Sequence, residues 1–370
     1  MNENIGDWRK GFVGRNLCAE LKNRGFTDLY EYDLDTNPTL LEEYAHDCEF
    51  VFHLAGVNRP ENPEDFMRGN FGFTSNLLEA LKQHHNQCPI VLSSSIQAER
   101  NNEYGNSKRA GERLLAEYGE QTGAKVLIYR FPNLFGKWSR PNYNGVIATF
   151  CHNISRGLPI QINDPDAEIC FAYIDDVMEE MLAALEGGEH REGAYCTVPV
   201  TETVKLGRVA ALLQSFYHSR ENLEVPDLRD AFTRKLYATY LSYLPEDQFS
   251  YSLKKNQDER GSFTEFLRSP DRGQVSVNVA KPGITKGQHW HHTKNEKFLV
   301  VSGEALIQFR KIGAQQVIEY HVSGDEMKVI DIPTGYTHNI INVGDTDLIT
   351  VMWASEPFNP DRPDTYYEKV

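Results

Sequence analysis

The sequence predicts two folded parts, a doubly wound parallel α/β sheet followed by an all-β domain of antiparallel strands. Two observations carry this. Up to about residue 245, short apolar runs alternate with segments of helical spacing, the pattern of strand–helix–strand units. Beyond it, short β-rich runs follow one another between Gly, Pro, Asn and Asp turns, as in antiparallel barrels and double-sheet rolls. The change of pattern divides the chain into residues 1–245 and 246–370.

The elements follow in order. Residues 48–56 (CEFVFHLAG) are an apolar run closed by glycine, the mark of a buried parallel strand. Residues 70–81 (NFGFTSNLLEAL) carry apolar side chains at helical spacing, 89–95 (PIVLSSS) read as a second strand, 105–118 as a helix and 124–130 (AKVLIYR) as a third strand. Residues 175–185 form a helix that Gly187 and Gly188 stop. Residues 222–251 keep helical spacing and lack a Gly/Ser or Pro run, so they close the first part rather than form a flexible linker. In the second part, 274–280, 297–302, 305–311, 316–322, 328–332 and 348–353 are the strands.

Composition sets the outer limits. The 370 residues have 53 acidic against 38 basic side chains, a formal charge of −15. That excess argues against broad contact with nucleic acid or an anionic membrane, though a nest of backbone N–H groups can still bind phosphate. No apolar run is long enough to span a bilayer, and the first residues lack the apolar core of a secretory signal. The cysteines, Cys18, Cys48, Cys88, Cys151, Cys170 and Cys196, are scattered without a C-x-x-C pair. Buried free thiols in a reducing cytoplasm are the expectation, and a disulfide scaffold or cysteine-ligated zinc is excluded.

Tyr104 and Lys108 stand one helical turn apart on the 105–118 segment and its approach. A nearby ammonium favours phenolate, so such a tyrosine can exchange a proton with a carbonyl or alcohol oxygen during hydride transfer. The preceding strand ends in Ser93, Ser94 and Ser95, a source of a hydroxyl for the same oxygen. By itself the pair could be a surface Tyr/Lys pair; its place after a serine-ended strand argues otherwise.

Further pieces accompany it: GFVG at 11–14, HLAG at 53–56, NFGFTSNLL at 70–78, RFPNLFG at 130–136 and FAYIDD at 171–176. Together these resemble the extended short-chain dehydrogenase/reductases, Rossmann-type enzymes whose substrates are largely nucleotide-linked sugars. The resemblance implies Tyr104 as acid/base, Lys108 as its partner and Ser95 as the helper hydroxyl, with Ser94 a competitor. It implies cofactor contacts at Gly11, Phe12, Val13, Gly14, Leu54, Ala55, Gly56, Tyr104 and Lys108, and substrate contacts at Arg130 and Asn133. Residues 1–10 (MNENIGDWRK) depart from the family, whose first apolar strand leads into T-G-x-x-G-x-x-G. Trp8 stands at the first glycine, where a tight turn and a close pyrophosphate are hard to accommodate. Asp33, read as lying near the end of that family's second strand, would suit NAD by binding ribose hydroxyls.

The β-rich part holds a second constellation. His289 and His291 alternate as strand neighbours on one face, with His292 pointing away; Glu296 follows, and a P-x-G turn at 333–335 leads to His338. Three imidazoles and a carboxylate suit zinc or another divalent first-row metal. With Gly283 and Gly303 the spacing resembles both cupin motifs, which implies a metal-binding cupin barrel. DERGSFTE at 258–265 and TKGQH at 285–289 resemble segments of deoxysugar 3,5-epimerases. Those enzymes remove a proton next to a 4-keto group; their histidine base aligns with His289, here a metal ligand, which leaves the base unassigned.

The two halves together resemble the bifunctional reductase–epimerases of bacterial capsular polysaccharide synthesis. That resemblance implies C3 epimerisation of a UDP-4-keto-6-deoxy-N-acetylhexosamine by the cupin part. Reduction of C4 with NADPH would then give UDP-2-acetamido-2,6-dideoxy-L-talose, on the route to UDP-N-acetyl-L-fucosamine for capsule or O-antigen. It also implies a cytoplasmic homodimer joined through the cupin part. Two other readings stand beside it: a reductase whose cupin only dimerises, and a non-catalytic sugar-nucleotide sensor.

Overall fold

The computed structural model describes residues 11–33, 35–58, 62 and 64–370. The reading of residues 1–10, Trp8 included, lies outside them. The chain forms two compact units. One takes the chain up to Gln214 together with Asp230–Pro245; the other is Ser215–Arg229 with Glu246–Val370.

The first unit is built on a sheet ordered Val51–His53, Ile90–Ser95, Val126–Phe131, Tyr195–Cys196, Arg191–Glu192. The first three strands are parallel neighbours. Alternation along them feeds two different cores, as the doubly wound reading requires. Val91, Leu127 and Tyr129 pack with Leu17 and Leu21 of the helix Phe12–Asn23 and with Val177 and Met181 of the helix Ile174–Leu185. Ile90, Leu92 and Ile128 pack on the opposite face with Leu77 and Leu81 of the helix Phe73–Gln83 and with Leu115 and Tyr118 of the helix Glu103–Thr122. Asn102 caps that last helix by accepting from the Gly105 N–H at 2.7 Å, and Gly123 ends it at φ +82°.

The strand read at 48–56 is only Val51–His53, and the segment holding Asp33 is not a strand. A strand needs a hydrogen-bonded neighbour. Residues 28–32 and 50–52 instead line one apolar cavity of about 540 Å³, with Leu17, Leu21, Phe73 and Leu77 around it. Asp33 is buried, its N–H donating to Thr36 Oγ1.

The second unit is two antiparallel sheets. One runs Val329–Ile332, Glu296–Ser302, Leu348–Ala354, Gly273–Ala280, Gly261–Ser269, Lys255–Asp258; the other runs Val317–Ser323, Glu304–Lys311, Tyr336–Asn342, Thr285–Trp290, Tyr366–Tyr367. Phe298, Val300 and Ile332 of the first pack against Ile307, Phe309 and Ile340 of the second in one apolar core. Hydrogen bonding keeps them as two sheets rather than one closed barrel. The segment after the helix Leu206–Asn222 joins this unit: the N–H of Val225 donates to Arg268 O and that of Arg268 to Leu223 O. Sequence spacing at 222–251 resolves into the end of that helix and a second helix, Ala231–Leu241. All six cysteines are free thiols, but only Cys88, Cys151 and Cys196 are buried, the others being half-buried. Among the described residues no helix is long and apolar enough to cross a membrane.

Candidate active sites

In the first unit the helix Glu103–Thr122 carries Tyr104 in its first turn and Lys108 one turn later. Lys108 Nζ lies 5.9 Å from the centroid of the Tyr104 ring and donates to Ser93 O at 3.2 Å. The turn after Val51–His53 closes over it. Asn70 Oδ1 accepts from the Val57 N–H, and Asn70 Nδ2 donates to Val57 O and Ser107 Oγ. These bonds bring Gly56 against the lysine, where a Cβ would lie 2.6 Å from Nζ. The family-like H-x-A-G turn therefore needs its glycine for the ammonium of this chain's own lysine. His53 supports the turn from beneath: it is fully buried, with Nε2 at 2.7 Å from Thr74 Oγ1, and burial lowers it to about 3, so it is a neutral packing group.

Burial pushes the Tyr104 phenol up to about 12, against a hydrogen bond with Ser95 that pulls it down. The expectation of a favoured phenolate is thus reversed by desolvation: at neutral pH this group is a proton donor. Burial lowers Lys108 to about 8, with Glu112 acting in the opposite sense.

Ser95 Oγ caps the short turn Ile96–Glu99 and lies beside Tyr104. Ser94 is buried the other way, donating to Glu112 Oε1. The Arg130 guanidinium grips both oxygens of Glu112 and donates to the Tyr195 hydroxyl and to Glu99. Arg130, read from the sequence as a substrate contact, thus has its guanidinium bonded to protein side chains. It is committed to clamping its strand to the Tyr104 helix, because a buried carboxylate requires a charged partner. Asn133 is exposed, with Nδ2 donating to Cys170 O. Gly11 is the N-cap of Phe12–Asn23 and offers no side-chain cap, and the first turn has no acidic residue. The first N–H groups of a helix have no partner within the helix, and its dipole is positive at that end, which suits a phosphate. The side chains of Phe12, Val13 and Leu54 pack into the core, Gly14 is buried within the helix, and Ala55 is buried in the following turn.

In the second unit His289, His291, Glu296 and His338 present ligand atoms that all lie within 4.8 Å of one another. Glu296 Oε2 is 3.5 Å from His291 Nε2 and 3.3 Å from His338 Nε2. The strand Thr285–Trp290 holds His289 opposite His338 of Tyr336–Asn342, with a bulge between Gly287 and His289 that turns the histidine into the cluster. Gly287 sits at φ +98°, and a Cβ on it would meet His338 O at 2.8 Å. His291 lies just past the strand end, so its inward aim is set by contacts rather than by alternation. His292 is exposed and meets the rings of Trp290 and Tyr366 edge to face.

The donor set fits a metal. Buried His291 Nε2, Glu296 Oε2 and His338 Nε2 have no hydrogen-bond partner, a state that buried polar atoms rarely tolerate unless another ligand satisfies them. Burial would raise Glu296, yet His291 and His338 hold it well below the usual carboxylate range. Burial, then His338 and His291, lower His289 to about 4. A carboxylate and neutral imidazoles are what a first-row cation requires. The sequence reading missed Asp364, which touches this cluster from 68 residues past Glu296 (364 − 296) and belongs to no recognised motif.

Comparison with known proteins agrees with this architecture. A model of the NAD dependent epimerase/dehydratase family matches residues 9–195, and a model of the polysaccharide biosynthesis C-terminal domain matches 256–366. The chain belongs to the NAD dependent epimerase/dehydratase family. Along its length it is similar to a UDP-2-acetamido-2,6-beta-L-arabino-hexul-4-ose reductase of Pseudomonas aeruginosa, 45% identical over 96% of this chain and 95% of that protein. It is also similar to the capsular polysaccharide assembling protein CapF from Staphylococcus aureus. That crystal structure is 52% identical with a TM-score of 0.91, covering 98% of this chain and 99% of the other. A structure of CapF with the inhibitor 3-isopropenyl-tropolone is 48% identical, with a TM-score of 0.88 and 98% of each chain covered.

Proposed function

We propose that the chain is a bifunctional nucleotide-sugar enzyme acting on a UDP-4-keto-6-deoxy-N-acetylhexosamine. Residues 246–370 epimerise C3, and residues 1–245 reduce the C4 ketone to UDP-2-acetamido-2,6-dideoxy-L-talose, a step toward UDP-N-acetyl-L-fucosamine. The observation that carries the reading is that each unit holds its own chemically complete cluster: phenol, ammonium and hydroxyl in one, three imidazoles and a carboxylate in the other. The names of the reductase relative and of CapF support the substrate class and a place in capsule assembly.

In the reductase unit, Tyr104 gives its proton to the C4 oxygen while Ser95 holds that oxygen and Lys108 stabilises the phenolate left behind. NADPH supplies the hydride; the N–H groups at Gly11–Gly14 would hold its phosphates, with Leu54, Ala55 and Gly56 lining the approach and Asn133 facing the sugar nucleotide. The reaction needs the phenol and the ammonium together. With Lys108 near 8, kcat/KM for reduction should stay level below about pH 8 and fall about tenfold per unit above it. A pH–rate profile that is level to pH 10 would remove Lys108 from this role.

In the second unit, which we read as a cupin fold of two packed sheets, His289, His291, Glu296 and His338 would hold zinc or another divalent first-row ion. That ion supplies Lewis-acid stabilisation of the enolate formed when C3 loses its proton. A tropolone bears adjacent oxygens of the kind that chelate such ions, which is in keeping with the inhibitor found with CapF. Free thiols throughout agree with work in the cytoplasm. The edge strand Val317–Ser323, pairing on one side with Glu304–Lys311, exposes Val317, Ile318 and Tyr320 and is where we place the contact of a homodimer. Ile318→Lys should turn a dimer into a monomer in light scattering; a dimer that survives moves the contact elsewhere.

The test of the whole reading supplies the 4-keto sugar nucleotide in deuterium oxide, with and without NADPH. Deuterium should enter at C3 in both, and NADPH absorbance should fall only in the second. NADPH loss with no deuterium at C3 would leave a reductase with a silent β domain.

A further inference from the structure

The last residues of the chain lace the metal-site strands together. Tyr366–Tyr367 pairs with His289 and Trp290. The Glu368 N–H donates to Gln288 O, Thr337 Oγ1 donates to Glu368 O, and Arg310 Nη2 donates to Glu368 Oε1 and Lys369 O. This segment is therefore bonded to the strands that carry His289 and His338 and, through Arg310, to Glu304–Lys311 on the far side of the His338 strand.

Its contact with His291 is the most specific. The Asp364 carboxylate accepts three successive backbone N–H groups, from His292 at 3.0 Å and from Thr293 and Lys294 at 2.9 Å each. Thr293 Oγ1 lies 3.1 Å from Asp364 Oδ2 and 3.1 Å from Glu356 Oε1, and Lys294 Nζ donates to Pro363 O and Thr365 Oγ1. With the turn fixed in this way, the backbone carbonyl of Asp364 accepts from Nδ1 of His291. A neutral imidazole has one N–H. Placing it at Nδ1 leaves the Nε2 lone pair facing Glu296 Oε2, 3.5 Å away. Asp364 stands at φ +40°, a region that aspartate tolerates better than most residues.

We infer that Asp364 is a positioning residue for the metal centre: its carboxylate moulds the 292–294 turn and its carbonyl fixes the tautomer and aim of His291. The inference rests on the metal reading given above. Groups that orient a ligand through its second ring nitrogen typically change metal affinity 10- to 100-fold when removed.

The test uses the full chain stripped of metal, with zinc and cobalt(II) as probes. Competition against a chromophoric chelator gives affinity, and the visible cobalt bands report ligand geometry. Measurements are made at a temperature where circular dichroism shows each variant folded. Asp364→Ala should bind zinc about 10- to 100-fold more weakly and shift the cobalt bands. Asp364→Asn, which keeps an oxygen acceptor, should recover part of both. Thr293→Ala removes the hydroxyl, with its bonds to Asp364 and Glu356, but keeps the backbone N–H bond to Asp364, and should weaken binding a few-fold; it serves in place of Asp364→Ala should that variant fail to fold. Unchanged affinity and unchanged bands in these variants overturn the positioning role while leaving the metal centre standing. Failure of the unaltered chain to bind either ion overturns the metal centre, and this role with it.

Discussion

Tyr104→Phe is expected to lower C4 reduction by about 10²- to 10⁴-fold, the range for loss of a positioned general acid, while leaving solvent deuterium incorporation at C3 intact. The substitution removes one oxygen. The ring keeps its place against Phe66, whose centroid lies 5.7 Å away, and Lys108 keeps its bond to Ser93 O. Folding should therefore survive, and the loss should fall on kcat more than on KM, since the phenol's proton is needed as the ketone oxygen gains charge. The buried phenol titrates near 12, so the unaltered chain holds its proton through the neutral range and loses rate on the alkaline side through Lys108 first. None of the candidate metal ligands comes from the unit that holds Tyr104. Equal loss of reduction and of deuterium exchange would defeat the assignment of the two reactions to two separate clusters.

What the sequence conveyed, and what it did not, follows the reach of each interaction. The parallel strands at 90–95 and 126–131 were legible because their alternate side chains feed two cores, leaving near-continuous apolar runs. Tyr104 and Lys108 were legible because one helical turn fixes their separation whatever surrounds it. The protonation of Tyr104 was not, since desolvation depends on everything packed around the ring. Arg130 shows the same limit: its neighbours in sequence give no sign of Glu112, which reaches it from the facing helix. The histidines of the second unit could be paired from spacing alone, yet His291 lies beyond the strand that was to aim it. Its orientation comes from Asp364, 73 residues later, through a backbone carbonyl that no residue pattern records.

His338→Ala is expected to remove most of the metal affinity, and His292→Ala almost none of it. His338 is fully buried, lies 3.3 Å from Glu296 Oε2, and packs between the rings of Phe298 and Phe309. Its loss leaves Glu296 buried with one imidazole fewer and takes one of four donors from the ion. His292 stands outside, against Trp290 and Tyr366, where an alanine gives up only ring contacts. A ligand that binds only the folded state stabilises it by about 4 kcal/mol at a concentration a thousandfold above Kd. At roughly 3 °C per kcal/mol for a domain of this size, that is a shift of about 12 °C in melting temperature. The comparison is made within each variant, with metal and with chelator, so the cavity left by the missing ring cancels. The unaltered chain and His292→Ala should each lose about 12 °C on chelation, and His338→Ala should lose little, because it has little metal to give up. Metal analysis per chain supplies the second readout. Chelator sensitivity that persists in His338→Ala and vanishes in His292→Ala would place the ion on the outer face and overturn the four-residue centre.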